Sequence, residues 1–481
     1  MKLAGFSFSS SGGLPPGVTL QAIDGETITT PTTMTNNYYA RNGYTIASGN
    51  GWDNPTFFPI GLGAIACSNS SALTAAQWVD LSINLSLAST TDSDYTVMAA
   101  NSIFNMQQCG GSALGSLLAN SASMCVGLVA DDEPGTYSAF EPAIAGTANN
   151  IQDTRFWHVN MTWNQLAPNS LSGAPAPGTT YAAIATPITT PSGKKRIIDV
   201  FSTDVYWCAG ANDNANTGGF DNSQMLFPPA GGGGTATEDE TSRGSNYGYQ
   251  IDFERECALN TNFTTFQYAG MPWQATGPIP LWLYVETGGP YTEDTVLANY
   301  ITPPQINWAV WSCIIHGARG ILYFDNTFTG PGANGSGNLG SSYFQTIQSP
   351  NVISIYNQVK NTDLLVKQLA PVINSPFAKG YVSVNSPNAA TQFAGVECMA
   401  KWYQGGNVTN AGLALVNGFY VFAATRQSTS AGTLTVTFTL ADTSATSVTV
   451  VGESRSISVV GGQFSDTFAS GPIVHIYQVN G

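Results

Sequence analysis

Two glutamates in this chain stand where carboxylates can do chemistry. Glu133 closes the stretch VGLVADDEPGTY (Val126 to Tyr137), in which Val126, Leu128 and Val129 read as a short buried strand followed by Asp131, Asp132 and Glu133. Pro134 and Gly135 then stop the strand, since proline cannot donate to a ladder and glycine permits a turn. Glu286 does the same for PLWLYVETGGPY (Pro280 to Tyr291), another apolar run that ends in a carboxylate and breaks at Gly-Gly-Pro. Paired carboxyl groups are the machinery of glycoside hydrolysis. One protonates the leaving oxygen and the other stabilises or attacks the oxocarbenium-like carbon, and a separation of about 5–5.5 Å marks the retaining mechanism. Asp131 and Asp132 place negative charge beside Glu133, which raises a carboxyl pKa and suits a general acid. The competing reading of Glu133 is an acid at a helix N-terminus, and of Glu286 a carboxylate capping the Gly288 or Gly289 amide.

An apolar strand that delivers acids at its C-terminal end is characteristic of a (β/α)8 barrel. The rest of the chain supplies the other strands: Pro55 to Ala66, Ser82 to Ala88, Tyr95 to Ile103, the Glu133 stretch, Arg155 to Asn164, Ile197 to Trp207, the Glu286 stretch, and Gly320 to Asp325. Helical segments are expected after Thr74, at Ser112 to Ala119, at Tyr249 to Leu259 and at Pro304 to His316. Two long polar excursions, 166–195 and 210–244, follow the fifth and sixth strands and would shape the face that carries the glutamates. From about Pro371 the pattern changes to short alternating strands, an antiparallel β-sandwich. The expected class is therefore α/β, a (β/α)8 TIM barrel with a C-terminal antiparallel β-sandwich domain. Residues 1–50 would add strands to the sandwich or the barrel, 51–370 form the barrel, and 371–481 form the accessory domain.

Composition narrows the setting. Only 9% of residues are charged, against about 25% in a typical soluble domain, and Gly, Ser, Thr, Asn and aromatic residues take their place. That profile suits an extracellular protein. A formal net charge of −15 argues against nucleic acid and against an anionic membrane as partner, and would repel a highly anionic polysaccharide. No apolar run approaches the roughly 18 residues of a membrane span. The start, MKLAGFSFSSSG, lacks the apolar core of a signal peptide, so a mature chain is expected. Sequons at Asn69, Asn84, Asn160, Asn262, Asn334 and Asn407 are compatible with secretion. The cysteines at 67, 109, 125, 208, 257, 313 and 398 show no CxxC spacing. One to three disulfides, Cys109–Cys125 being the closest pair, stand against buried free thiols at Cys125 and Cys313. His158, His316 and His475 lie in different elements and do not read as metal ligands. NDNANTGGFD (Asn212 to Asp221) fails the calcium-loop spacing, and no G-x-S-x-G elbow follows a strand.

Taken together, FFPIG at the first strand, DEP at the fourth, STDVY at the sixth, the glutamate after the seventh and WAVWSCIIHGARGILYF resemble the retaining clan A glycoside hydrolases. That group includes cellulases, β-mannanases, β-galactosidases and endo-β-1,3-glucanases. The tail from Gly461 to Phe468 and Val474 to Tyr477 also resembles the last strands of their C-terminal β-sandwich. The resemblance implies Glu133 as acid/base and Glu286 as nucleophile. It also implies a tyrosine near the end of the sixth strand, here Tyr206, hydrogen-bonded to the nucleophile. The clan commonly carries Asn before the acid/base. Here the position is Asp132, acceptor-only when ionised, as a hydroxyl binder. Trp163, Trp207, Trp282 and Trp52 offer flat faces for sugar stacking, and Asn101 and Asn164 offer hydroxyl contacts. Asp204 and Asp325, at strand ends, would line the cleft. The expected function is retaining, endo-acting hydrolysis of a neutral β-linked glucan, mannan or galactan by a monomer needing no cofactor. A non-catalytic carbohydrate-binding surface protein and an exo-acting β-galactosidase stay open as alternatives.

Overall fold

The computed structural model describes residues 14–21, 27–28, 38–41, 43–63, 73–87, 92–108, 124–132, 155–161, 188–189, 195–196, 199–208, 244–258, 280–290, 300–327, 344, 350–386, 395–426 and 432–481. Two short strands, β1 (Thr19–Gln21) and β2 (Thr27–Ile28), and two short helices, α1 (Tyr38–Arg41) and α2 (Thr45–Gly49), precede the barrel. Its strands and helices follow as β3 (Ile60–Gly63), α3 (Ala75–Asp80), β4 (Leu85–Leu87), α4 (Asp92–Ala100), β5 (Phe104–Gln108), β6 (Cys125–Asp132) and β7 (Phe156–Met161). After a small hairpin, β8 (Ile188–Thr189) and β9 (Lys195–Arg196), come β10 (Val200–Thr203), α5 (Ser245–Ala258), β11 (Leu281–Glu286), α6 (Pro303–Ile315) and β12 (Gly320–Phe324). The eight strands β3, β4, β5, β6, β7, β10, β11 and β12 pair in that order, all parallel, and β12 against β3 completes the closed barrel. Chain order and spatial order coincide, so β6 is the fourth barrel strand and β11 the seventh.

Strand alternation sorts the side chains into two cores. Along β11, Leu281, Leu283 and Val285 turn outward to the layer of α5 and α6, while Trp282 and Tyr284 turn into the barrel. Glu286 shares the inward face. The inner face of β3 is glycine because the interior leaves no room. A Cβ on Gly61 would lie 2.5 Å from Leu322 Cδ2 and 2.9 Å from Leu87 Cδ1, and one on Gly63 2.7 Å from Tyr284 Cε1. Gly61→Ala should cost about 1–3 kcal/mol of stability through overpacking, measurable by denaturant unfolding.

The N-terminal mouth of the barrel is plugged by rings. Trp52 sits among Phe57, Phe104, Phe156 and Trp282 at centroid distances of 4.7–6.3 Å. Asn84 holds the neighbouring strand end, accepting from Ile60 N and donating to Phe58 O. The opposite mouth carries the polar residues.

Behind the barrel runs α7 (Pro350–Ile373), which buries Val352, Ile355, Tyr356, Val359, Val366 and Leu369 at three- and four-residue spacing. Then come β13 (Phe377–Lys379), β14 (Val382–Asn385), β15 (Val396–Tyr403), β16 (Val408–Asn410), β17 (Leu413–Leu415), β18 (Gly418–Thr425), β19 (Leu434–Leu440), β20 (Ser447–Val450), β21 (Arg455–Ser458), β22 (Gln463–Phe468) and β23 (Val474–Asn480). An antiparallel sheet in the order β2-β1-β13-β15-β18-β23-β20-β21 and a second of β14-β19-β22 share one apolar core, with Val421, Ala423 and Tyr477 meeting Val436, Phe438 and Phe468. The barrel's helix layer and this β-domain are continuous. Trp311 of α6 stacks on Phe422 at 5.9 Å, and Trp308 donates from Nε1 to Thr425 O.

Two expectations need correcting. Residues 95–103 are not the third barrel strand: α4 covers 92–100, and the strand is Phe104–Gln108. Cys125 is a buried free thiol whose Sγ lies 3.4 Å from Gly127 O, so no Cys109–Cys125 disulfide exists. Cys208, Cys313 and Cys398 are also free and buried.

Candidate active site

The C-terminal ends of the barrel strands bring Glu286 into a built setting. Its carboxylate is fully buried at the end of β11. Oε1 accepts from Cys208 N at 2.9 Å, and Oε2 accepts from the Tyr247 hydroxyl. Tyr247 in turn accepts from Trp207 N at 3.1 Å, so one tyrosine ties the turn after β10 to the carboxylate. Burial first, and then the charge of Glu286, push the Tyr247 phenol well above its ordinary range, so it stays a proton donor. Burial and Glu286 likewise raise the Cys208 thiol, which is no thiolate nucleophile.

Tyr247 reaches this position because α5 lies close against α6. Gly244 and Gly248 bracket it. A Cβ on Gly244 would come 2.6 Å from Trp308 Cγ, and one on Gly248 2.4 Å from Ser312 Oγ. Tyr247→Phe should free one carboxylate oxygen of Glu286 and, through the loss of a stabilising donor, make that carboxyl easier to protonate. Infrared difference spectra of the carboxyl band across pH, wild type against variant, would check this.

Deeper in the barrel, at the level of Trp282, the interior is polar. His158 Nε2 lies 2.7 Å from Ser202 Oγ, and that hydroxyl donates to Asn160 Oδ1 at 2.8 Å. Because Ser202 gives its only proton to Asn160, it must accept from His158, which fixes the Nε2–H tautomer. Burial pushes the His158 pKa down to about 3, so the ring is neutral throughout the working range. Asn160, a sequon in the sequence, is therefore a buried barrel residue 2% exposed. On β12, Phe324 is the cross-strand neighbour of Glu286. Asp325 accepts from Thr287 Oγ1 at 2.9 Å.

The sequence candidates fall out unevenly. Glu286 stands at the end of the seventh barrel strand. β6 runs to Asp132, whose cross-strand neighbour is Asn160, but Glu133, Trp163 and Asn164 lie outside the described residues, as does the Asp132 side chain. Tyr247 is a tyrosine that donates to the Glu286 carboxylate. β10 ends at Thr203, and Tyr206 falls back into the barrel and stacks on Phe324 at 5.1 Å. Trp282 and Trp52 belong to the plug at the opposite mouth and present no face to a sugar. Trp207 is buried in the helix-layer core. Asn101 sits in the turn entering β5, at the wrong end of the barrel, donating to Val97 O. Tyr247 was missed as a site residue. The Gly244/Gly248 pair around Tyr247 was the one signal available.

The three histidines have separate partners, and no group of His, Cys, Asp and Glu among the described residues could hold a metal ion. His316 is flanked by Asp252 and Glu397, while His475 bonds Glu453.

No protein-family model and no curated protein matches the chain. Among solved structures it is similar to a maltogenic alpha-amylase from Thermotoga neapolitana, at 8% identity over 89% of this chain and 99% of that one, TM-score 0.45. It is also similar to a glucosidase from Croceicoccus marinus, at 9% identity over 88% and 95%, TM-score 0.40. An alpha-amylase from Geobacillus thermoleovorans follows at 10% identity over 85% and 90%, TM-score 0.38. Likenesses this weak carry nothing about the substrate of this chain.

Proposed function

We propose that the protein is a retaining glycoside hydrolase with Glu286 as nucleophile and Glu133 as acid/base. The observation that carries the reading is the Glu286 carboxylate, held between the Tyr247 hydroxyl and the Cys208 amide at the C-terminal end of the seventh strand of a closed parallel barrel. Active sites of this architecture lie on that face. Two donors on the oxygens fix the orientation a nucleophile needs for in-line attack. The fourth strand ends on the same face with Asp131 and Asp132, one residue before Glu133, which is where a partner acid would stand.

The substrate we assign is a neutral, β-linked glucan, mannan or galactan, cleaved outside the cell. Its support is the sparse charge and the net charge of −15, which disfavour anionic polymers, and the fourth- and seventh-strand placement, which matches the resemblance to clan A. The test is reducing-sugar release from a panel of neutral β- and α-linked glycans by wild type, Glu286→Ala and Glu133→Ala. Release from a β-glycan that both substitutions abolish supports the reading. Release from α-glycans alone removes the linkage assignment. An inert wild type that is nonetheless retained on a glycan gel makes the protein a sugar binder.

A further inference from the structure

Just beyond β12, Asn326 is 2% exposed, and neither its Oδ1 nor its Nδ2 has a hydrogen-bond partner. A buried carboxamide carries two N–H donors and an acceptor oxygen, and leaving them unmade is costly unless something else uses them. Its position says what that is. Alternation puts Phe324 on the barrel interior beside Glu286. Asp325 turns the other way, to the hydroxyl of Thr287, the residue after Glu286. Thr327 likewise meets the segment after Glu286, accepting from Gly289 N at 3.3 Å, so Asn326 lies between two residues tied to that segment and two positions beyond Phe324, the cross-strand neighbour of the nucleophile. The contrast with Asn160 is informative, because Asn160 spends its Oδ1 on Ser202.

We infer that Asn326 is a specificity-determining residue that reads hydroxyls of the sugar unit bound against Glu286, an inference that rests on the glycosidase reading. A carboxamide can accept from one hydroxyl and donate to its neighbour, so it suits two adjacent uncharged hydroxyls on one ring. The Asp325 carboxylate next to it disfavours an acidic sugar. Hydrogen bonds of this kind discriminate strongly, because a substrate lacking the hydroxyl leaves the buried amide unpaired.

The experiment uses aryl β-glycosides of the sugar found in the panel, together with its monodeoxy analogues. Wild type, Asn326→Ala and Glu286→Ala are compared in kcat/KM and in thermal unfolding. Asn326→Ala should unfold at the same temperature as wild type or higher, since it removes an unpartnered buried amide. It should lose about 10²-fold in kcat/KM on the parent glycoside. One deoxy analogue should be discriminated about 10²-fold by wild type and hardly at all by Asn326→Ala. Unchanged activity of Asn326→Ala, or an equal loss on parent and every deoxy analogue with a lower unfolding temperature, overturns the inference and leaves the glycosidase reading standing. Wild type inert on all glycosides, or Glu286→Ala as active as wild type, removes both.

Discussion

Glu286→Ala is expected to lose on the order of 10⁴- to 10⁶-fold in kcat, the scale seen when a catalytic nucleophile is removed. The fold should survive, because the change also takes away a buried charge. What remains is Tyr247, with its Trp207 bond intact, and a small space where the carboxylate was. Azide should enter that space and restore turnover, yielding a glycosyl azide of inverted configuration, while leaving wild type unaffected. The rescue matters more than the loss. A carboxylate that only stabilised the β10 turn would also cost activity when removed, yet no small anion would restore chemistry at the sugar carbon.

His316→Leu is expected to destabilise the protein by about 3–5 kcal/mol, the cost of breaking a buried ion cluster from one side. The His316 ring is fully buried between Asp252 of α5, 2.7 Å from Nδ1, and Glu397 of β15, 3.1 Å from Nε2. Burial disfavours the imidazolium, but the two carboxylates outweigh it and raise the pKa to about 9. The unfolded value is near 6.5. The folded pKa is the higher one, so the stabilisation is complete below about pH 6.5 and is lost as pH rises through about 9, amounting to about 3 kcal/mol. Denaturant unfolding at pH 6 and pH 10 should show the decline in wild type, and His316→Leu should flatten it. An equal decline in both proteins would place the pH dependence elsewhere. Since β15 belongs to the C-terminal sheets, the same residue couples barrel and β-domain.

The barrel was legible because its parallel strands are buried on both faces and read as continuous apolar runs, as Leu281 to Val285 and Ile321 to Phe324 do. The third strand was misplaced for the converse reason. FNMQQ carries Asn105 and Gln107, both buried, and looks polar, whereas the β-branched start of YTVMAANSI imitates a strand. β15 hid similarly behind Glu397 and Lys401, both fully buried, the lysine resting 3.3 Å over the Phe377 ring. α7 went unread although its periodicity was present. At the site, Glu286 was readable from its own strand, but Tyr247 was not. It stands 39 residues before Glu286 in the chain, and only the packing of α5 on α6 brings them together. Trp52 and Trp282 misled because indoles that look free in a sequence are needed to plug the barrel.

The most direct test of the central claim is to trap the glycosyl-enzyme. A 2-deoxy-2-fluoro glycoside with a good leaving group slows the second displacement more than the first, so a true nucleophile should accumulate one fluoroglycosyl group. Intact mass should rise by that single group, and peptide mapping should place it on the segment containing Glu286. Time-dependent inactivation with the label on another carboxylate, or continued turnover with no mass change, would contradict the assignment of Glu286.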